Sequence, residues 1–250
     1  MDWLAILIVA IFLPLFPLSM GFNLVFSKLQ QPLLRITLLV IWPLVGLVLA
    51  NKLELQVAPW LLIWALLSSA LYALRMLALR EMNLWISFMA TSVWALLWIP
   101  LSEGYHFDTL WLDAMGFSTP LIALVIVAEL LRRRFGAAYA DIYGGLAHGL
   151  PRLAMVMVMS VLAAIATPVF PGFFTMLSIL MIATPATIVS LLLIWLLWSW
   201  AGIRLLQGFI FGDHSYDNSI KDIPCVFAWS LLLLLIAIAV VGVIVNGALL

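Results

Sequence analysis

Residues 141–182, DIYGGLAHGLPRLAMVMVMSVLAAIATPVFPGFFTMLSILMI, decide the fold. The stretch opens with a Gly-rich basic loop, Gly144-Gly145-Leu146 to Pro151-Arg152, and continues as an apolar run to residue 182. As one helix that run would be about 45 Å long at ~1.5 Å per residue, against a hydrocarbon core of ~30 Å. A single straight membrane helix is therefore not expected. The interruption is Thr167-Pro168-Val169-Phe170-Pro171-Gly172. Two prolines three residues apart remove two backbone donors and clash with the preceding turn, and Gly172 permits a sharp change of direction. The expectation is a broken helix, 152–167 and 173–182. Irregular backbone at membrane depth persists only when buried in protein or lining a wet cavity, and in transporters such breaks often mark the ion or substrate site. A plain proline kink between packed helices is the other reading, because Pro and Gly are ordinary in membrane helices.

Composition points the same way. Of 250 residues, 67% are hydrophobic and 9% charged, which defines a polytopic membrane protein. The net charge is zero, so there is no footprint for nucleic acid. One cysteine, Cys225, excludes an internal disulfide and a Cys-based metal site. His106, His148 and His214 fall in different loops, without metal-ligand spacing. The N-terminal apolar run follows Asp2 rather than a basic region and precedes no small-residue cleavage site, so it is expected to be a retained helix.

Eight apolar segments can be marked: 3–26, 33–51, 57–79, 84–101, 111–131, 152–182 (broken), 185–210 and 225–248. The fold class is all-α integral membrane, with about eight transmembrane helices and the sixth broken at Pro168 and Pro171-Gly172. Ten of the 11 lysines and arginines lie at the loops that join segments 1–2, 3–4, 5–6 and 7–8; Lys52 alone lies on the other side. The positive-inside rule then puts both termini away from the cytoplasm, with a bacterial inner membrane as the expected location. Pro14 and Pro17 should bend the first segment and Pro43 the second. Trp60, Trp64, Trp85, Trp94, Trp98 and Trp111 sit near segment ends and are expected as interfacial anchors. Glu129 should pair with Arg132 or Arg133 at i+3 or i+4; a carboxylate about a turn inside the membrane is also a candidate relay group. Arg204 is expected to snorkel to the surface or to hold a carboxylate. Thr184-Pro185 reads as a cap followed by Pro at the first helical position. No paired catalytic carboxylates, nucleophile–base set or phosphate loop is recognisable, so neither an enzyme nor a bound cofactor is expected.

The order of features resembles the last six helices of the antiporter-like subunits of respiratory complex I, a family that includes the large subunits of Mrp-type antiporters and membrane-bound hydrogenases. Four stretches carry the resemblance, over roughly residues 60–245. Leu79-Arg80-Glu81-Met82-Asn83 is similar to the family's aspartate–lysine hairpin. Tyr143-Gly144-Gly145-Leu146 with Leu150-Pro151-Arg152 is similar to its Gly-Gly-Leu loop and Met-Pro-Arg helix start. Ala164 to Phe174 resembles its Pro–Gly-Phe helix break, and Arg204 to Gly212 its helix end running into a Phe-Phe-Gly turn. The chain accordingly divides into 1–56, two N-terminal helices matched to nothing, and 57–250, an antiporter-like six-helix unit. Family members are about twice as long, so an inverted repeat is missing by comparison.

The resemblance implies proton movement through buried Lys, His and Glu, and at those positions this chain departs from it. Met176 follows the break where the family has Lys or Glu. Phe117 and Leu121 stand in place of a His and a Lys, with Pro120 between, and Asn83 in place of the hairpin lysine. None of these replacements exchanges protons near neutral pH. The expected function is a non-pumping antiporter-like subunit that scaffolds a larger ion- or proton-coupled complex: complex I-like, Mrp-like, or one driving inorganic-carbon uptake. Its partners would be a full-length antiporter-like membrane subunit and a cytoplasmic enzyme, docked through Arg132, Arg133, Arg134, Arg152 and the 212–221 loop. The alternative is an active transporter that completes its site by dimerising or with a partner chain, with Glu129, Arg204, Asn83 and Thr175 along the path.

Overall fold

The computed structural model describes residues 3–105, 107–140, 144–212 and 221–247. Asp2, His106, Tyr143 and the polar loop 213–220, with His214, lie outside the described residues. The elements are helices: α1 (Trp3–Phe12), α2 (Met20–Lys28), α3 (Pro32–Lys52), α4 (Pro59–Met76), α5 (Met82–Ala95), α6 (Trp98–Ser102), α7 (Phe107–Phe135), α8 (Leu146–Gly149), α9 (Pro151–Ala164), α10 (Pro171–Ile182), α11 (Pro185–Ile210) and α12 (Cys225–Gly247). The protein is an all-α integral membrane protein. Five stretches are long and apolar enough to cross a bilayer unaided: Pro32–Lys52, Pro59–Met76, Met82–Ser102, Thr109–Phe135 and Pro185–Ile210. The rest of the apolar sequence is in shorter helices.

The first segment is broken rather than bent. α1 stops at Phe12, α2 starts at Met20, and the peptide bond between Phe16 and Pro17 is cis. Pro14 and Pro17 each lack the N–H that would continue the helical ladder, so carbonyls are freed inside the bundle, where every polar group needs a protein partner. Indoles supply many of these partners. Trp98 Nε1 donates to Leu13 O at 3.0 Å, Trp64 Nε1 to Phe16 O at 2.6 Å and Trp42 Nε1 to Ile11 O at 3.0 Å. Phe16 N donates to Ser68 Oγ at 3.0 Å, and the Ser19 and Tyr72 hydroxyls lie 2.7 Å apart.

This corrects the reading of the tryptophans. Trp85, Trp94 and Trp98 are fully buried, and Trp64 is half-buried beside the break. Only Trp60 and Trp111 of the six keep substantial exposure, consistent with interfacial positions. An indole combines a large apolar body with one obligatory donor, so a freed carbonyl in an apolar core is a suitable partner for it.

α3 runs uninterrupted through Pro43, and α7 through Pro120. α5 and α6 are separated by a tightened turn, with Leu96 N on Val93 O and Leu97 N on Trp94 O, just before Pro100. The Thr184 hydroxyl accepts from Thr187 N at 3.4 Å and Pro185 opens α11, as the capping signal requires. α5 is the central element: nearly all of its residues are buried, and it packs on α4, α7 and α2. α1, α2 and the break between them contribute Ile6, Val9, Leu13, Phe22 and Phe26 to the same core as the remaining helices.

Candidate functional site

The break in the sixth segment lies between α9 and α10. α9 ends at Ala164 and α10 begins at Pro171, close to the expected limits. The change of direction does not fall on Gly172, which is the second residue of α10. It is made by Ala166 at φ +56° and Val169 at φ +87°. A β-branched residue at positive φ is a steric outlier that its surroundings must impose. The freed backbone groups are partly satisfied within the break: Thr167 N and Thr167 Oγ1 both reach Leu162 O, and Trp195 Nε1 donates to Ile165 O at 3.1 Å. Gly172 has room for a side chain. A Cβ there would stand 3.5 Å from both Ala166 Cβ and Phe117 Cδ1.

Two neighbouring helices approach this break through glycines. On α11, a Cβ at Gly202 would fall 2.6 Å from Ile165 Cγ2; on α7, a Cβ at Gly116 would fall 3.0 Å from Thr175 Oγ1. The first break has the same feature, since a Cβ at Gly46 of α3 would fall 2.9 Å from Leu13 Cγ. Such contacts forbid a side chain unless the neighbour moves.

Thr175, buried on α10, has its side chain beside that of Asp113 on α7. Asp113 was not among the residues read as candidates from the sequence, yet it is the carboxylate that meets the broken helix. Its signal was present: an acidic residue inside a membrane segment is by default a functional candidate. The positions that the resemblance assigns to titratable groups are filled with packing residues. Met176 and Leu121 are fully buried, and Phe117 is almost so and meets the Trp198 ring edge-on at 6.3 Å.

The four sequence-predicted path residues do not form one path. Thr175 is at the break with Asp113. Asn83 is buried at the start of α5, and its Oδ1 accepts from Arg35 Nη1 on α3. Glu129 lies near that arginine, whose other electrostatic neighbours are Glu81 and Arg132. Glu129 is largely shielded and bound by Arg132 Nε at 2.8 Å and Arg133 Nε at 2.7 Å, as the i+3 and i+4 spacing predicts. Arg204 is exposed on α11 and lines a cavity with Arg80 and Gln207. Between the break and the basic end, the described side-chain hydrogen bonds include Trp94 Nε1 to Ser118 Oγ, Trp198 Nε1 to Ser92 Oγ, Ser92 with Ser69, and Thr91 Oγ1 to the carboxamide Oδ1 of Asn23. Among the described residues, no three of the His, Cys, Asp and Glu side chains come together as a metal site.

The basic docking candidates separate in the same way. Arg134 Nε donates to Lys221 O, and Arg152 Nη1 to Ile223 O. Asp222 accepts from Arg152 N at 2.8 Å and Leu153 N at 3.2 Å, capping α9. Arg134 and Arg152 thus hold the strand of chain that leads into α12. Arg132 and Arg133 keep side-chain exposures of 50% and 69%.

Three of the four motif stretches meet at this basic end. The hairpin pairs with the chain before the Gly-Gly loop through Met82 N to Ala138 O and Ala140 N to Arg80 O. Gly145 N donates to Phe211 O, and a Cβ at Gly144 would fall 2.8 Å from that same oxygen. Gly144 is therefore required by the close approach of the Phe211-Gly212 turn.

The architecture defines a class: a helical membrane protein with two interrupted helices, each closed by indole donors and each approached by a glycine. Solved membrane complexes contain chains of this fold. One in respiratory complex I from Thermus thermophilus superposes with a TM-score of 0.77 at 20% identity, covering 93% of this chain and 52% of that one. One in an archaeal membrane-bound sulfane sulfur reductase gives 0.79 at 17%, covering 96% and 52%. One in the Mrp complex from Dietzia sp. gives 0.75 at 13%, covering 95% and 55%. The chain thus spans about half the length of the solved chains it resembles, and has the fold of that half. No protein-family model and no curated protein matches the sequence.

Proposed function

We propose that this chain is a non-conducting membrane subunit that packs against a full-length relative within a larger ion- or proton-coupled complex. The observation that carries the reading is the filling of the break's surroundings. Met176, Phe117 and Leu121 occupy the path with buried apolar volume. Asp113 and Glu129, the two acidic residues of α7 engaged by described partners within the bundle, are about 24 Å apart along the helix at ~1.5 Å per residue. The described polar contacts between them are made by indole N–H groups, serine and threonine hydroxyls and one carboxamide, with no carboxylate, histidine or lysine among them. A relay across a low-dielectric region needs protonatable groups or continuous water.

The exposed lipid-side rows on α11, with Val189, Leu192, Leu196 and Trp200, and on α12, with Val226, Trp229 and Leu233, are available for lipid or for a membrane partner. A soluble partner with an acidic patch would meet Arg132 and Arg133. The decisive experiment is co-purification of the tagged chain from its native membrane in mild detergent, with and without charge reversal at Arg132 and Arg133. The variant is expected to lose its soluble partner while keeping the membrane partner. Full retention of both refutes docking through these arginines.

Asp113 favours a second reading, in which the break contributes a half-site to ion movement. Purified complex in proteoliposomes distinguishes the two. The non-conducting reading expects the same flux with Asp113→Asn as with the native chain. Abolished flux, with assembly intact, would establish the transporter.

A further inference from the structure

We infer that Asn23 of α2 holds a buried water molecule that bridges to α3, at the backbone carbonyl that Pro43 leaves without a donor. Asn23 is 8% exposed. One polar atom of its carboxamide, Oδ1, faces the Thr91 hydroxyl of α5 at 3.1 Å. The other, Nδ2, is fully buried and has no hydrogen-bond partner among the described residues. A polar atom left unpaired in an apolar core is costly, and in native proteins ordered water commonly supplies the partner.

α3 supplies the complementary group. A proline inside a helix has no N–H, so the carbonyl four residues before it loses its donor. Pro43 lies inside α3, and the carbonyl it frees is Leu39 O; both residues are buried. Side-chain donors on this stretch are committed elsewhere: Thr37 Oγ1 to Leu33 O, Trp42 Nε1 to Ile11 O and Arg35 Nη1 to Asn83 Oδ1. Within a membrane bundle, ordered water is one of the few groups able to take up a carbonyl freed in this way.

The register of the two helices brings these groups to one level. Phe22 packs on Trp42 with ring centroids 5.5 Å apart, and Arg35 Cζ lies 5.6 Å from the centre of the Phe26 ring. Residue numbers fall on α3 as they rise on α2, so Asn23 stands between these contacts, level with the turn of α3 that carries Leu39 O. Arg35, Leu39 and Pro43 follow one another at i+4 spacing and share a face. Contacts of Arg35 with Phe26 and Asn83 turn that face toward α2 and α5.

Water suits this pair because it both donates and accepts. It donates to Leu39 O and accepts from Nδ2. With the carboxamide turned over, Nδ2 would donate to Thr91 Oγ1, whose own hydrogen can go to Ser87 O at 2.9 Å, and the water would donate to Oδ1 instead. The site therefore stands in either orientation of the amide, whereas a direct bond from Asn23 to Leu39 O is possible in only one. A buried water needs at least two polar partners, and Asn23 and Leu39 O provide them. The water ties the restarted half of the first segment to α3 and lets α3 carry Pro43 without a bare carbonyl. This holds whether or not the chain conducts ions.

The test is water-edited solid-state NMR on the full chain in phospholipid bilayers with isotopically labelled side-chain amides. The Asn23 signal is identified by its loss in Asn23→Leu. Transfer of magnetisation from water to the Asn23 amide is expected in the native chain, with the exposed Asn51 as positive control. Pro43→Ala is the discriminating variant. It restores an N–H to Leu39 O, removes the acceptor for the water, and should abolish transfer to Asn23 while sparing Asn51. Ala favours a helix interior, so this variant is expected to fold, and a cooperative SDS unfolding transition checks it. The same assay gives a second reading. Asn23→Leu should lower the unfolding midpoint of the native chain, and lower it less in Pro43→Ala, where Leu39 O already has a donor. No transfer to Asn23 in the native chain, transfer undiminished by Pro43→Ala, or an equal Asn23→Leu shift in both backgrounds overturns the inference.

Discussion

Gly202→Ala tests how tightly the second break is clamped. The added Cβ would lie 2.6 Å from Ile165 Cγ2, 3.2 Å from Val161 Cγ1 and 3.4 Å from Ile165 Cδ1. Carbon atoms pack best at about 3.5–4.0 Å, so the nearest contact must open by roughly 1 Å. Ile165 has little freedom to yield. It is β-branched and stiff at χ1, its carbonyl holds Trp195 Nε1, and Ala166 after it is already at positive φ. Overpacking of this kind costs ~1–3 kcal/mol. The change from Gly to Ala inside a helix returns up to ~1 kcal/mol, so a net loss of about 1–2 kcal/mol is expected. Graded SDS unfolding of the purified protein would measure it. Gly21→Ala is the control, because nothing lies within 4 Å of its added Cβ; it should be neutral or slightly stabilising. In a double-mutant cycle, Ile165→Ala removes the clashing atoms and should show favourable coupling of at least ~0.5 kcal/mol with Gly202→Ala. Unchanged or raised stability in Gly202→Ala, or no coupling with Ile165→Ala, would refute the clamp.

The first break makes its own prediction. Trp98→Phe removes the donor to Leu13 O and leaves a buried carbonyl unpaired, which should cost ~1–3 kcal/mol in the same assay. Asp222→Ala frees two N–H groups at the start of α9 and should cost ~0.5–2 kcal/mol; limited proteolysis should then cut the chain before α12 faster. Gly116→Ala presses on Thr175 Oγ1, the neighbour of Asp113, and should shift the carboxyl stretch of Asp113 in difference infrared spectra against Asp113→Asn, whatever the flux.

The break between α9 and α10 was legible because proline acts locally: a missing N–H and a ring clash follow from the residue alone. The same signature, two prolines three residues apart, stands at Pro14 and Pro17, and it produces a full break there too rather than a bend. A single proline was weaker evidence, and α3 passes through Pro43 intact. The pairing of Glu129 was legible because i+3 and i+4 neighbours are fixed by helix geometry. The tryptophans were not legible, because position near a segment end is all that the sequence gives. Whether Trp98 faces lipid or Leu13 depends on how the first break packs against α6. Asp113 fell between the two forms of reasoning. The resemblance directed attention to residues 117 and 121, and charge patterning to the opposite end of α7, while the residue that meets Thr175 lies four positions before the first of them.

The two breaks are alike in backbone and different in closure, and that difference limits where any chemistry can occur. At the first, three indoles, a serine hydroxyl and a Ser–Tyr pair surround the irregular backbone from Ile11 to Ser19. These partners are indoles and hydroxyls, with no carboxylate or cation among them, so the first break behaves as a structural joint. At the second, one indole contacts Ile165 O, Val169 is held at an unfavourable φ, and a carboxylate reaches the helix that restarts beyond it. A carboxylate in an apolar bundle is costly unless it is partnered or used. Thr175 offers it one hydroxyl. A role in ion movement would therefore have to begin at Asp113, and it would have to pass Met176, Phe117 and Leu121 by water rather than by side chains. A conducting form would have to admit water there, and hydrogen exchange at the α9–α10 break would register it.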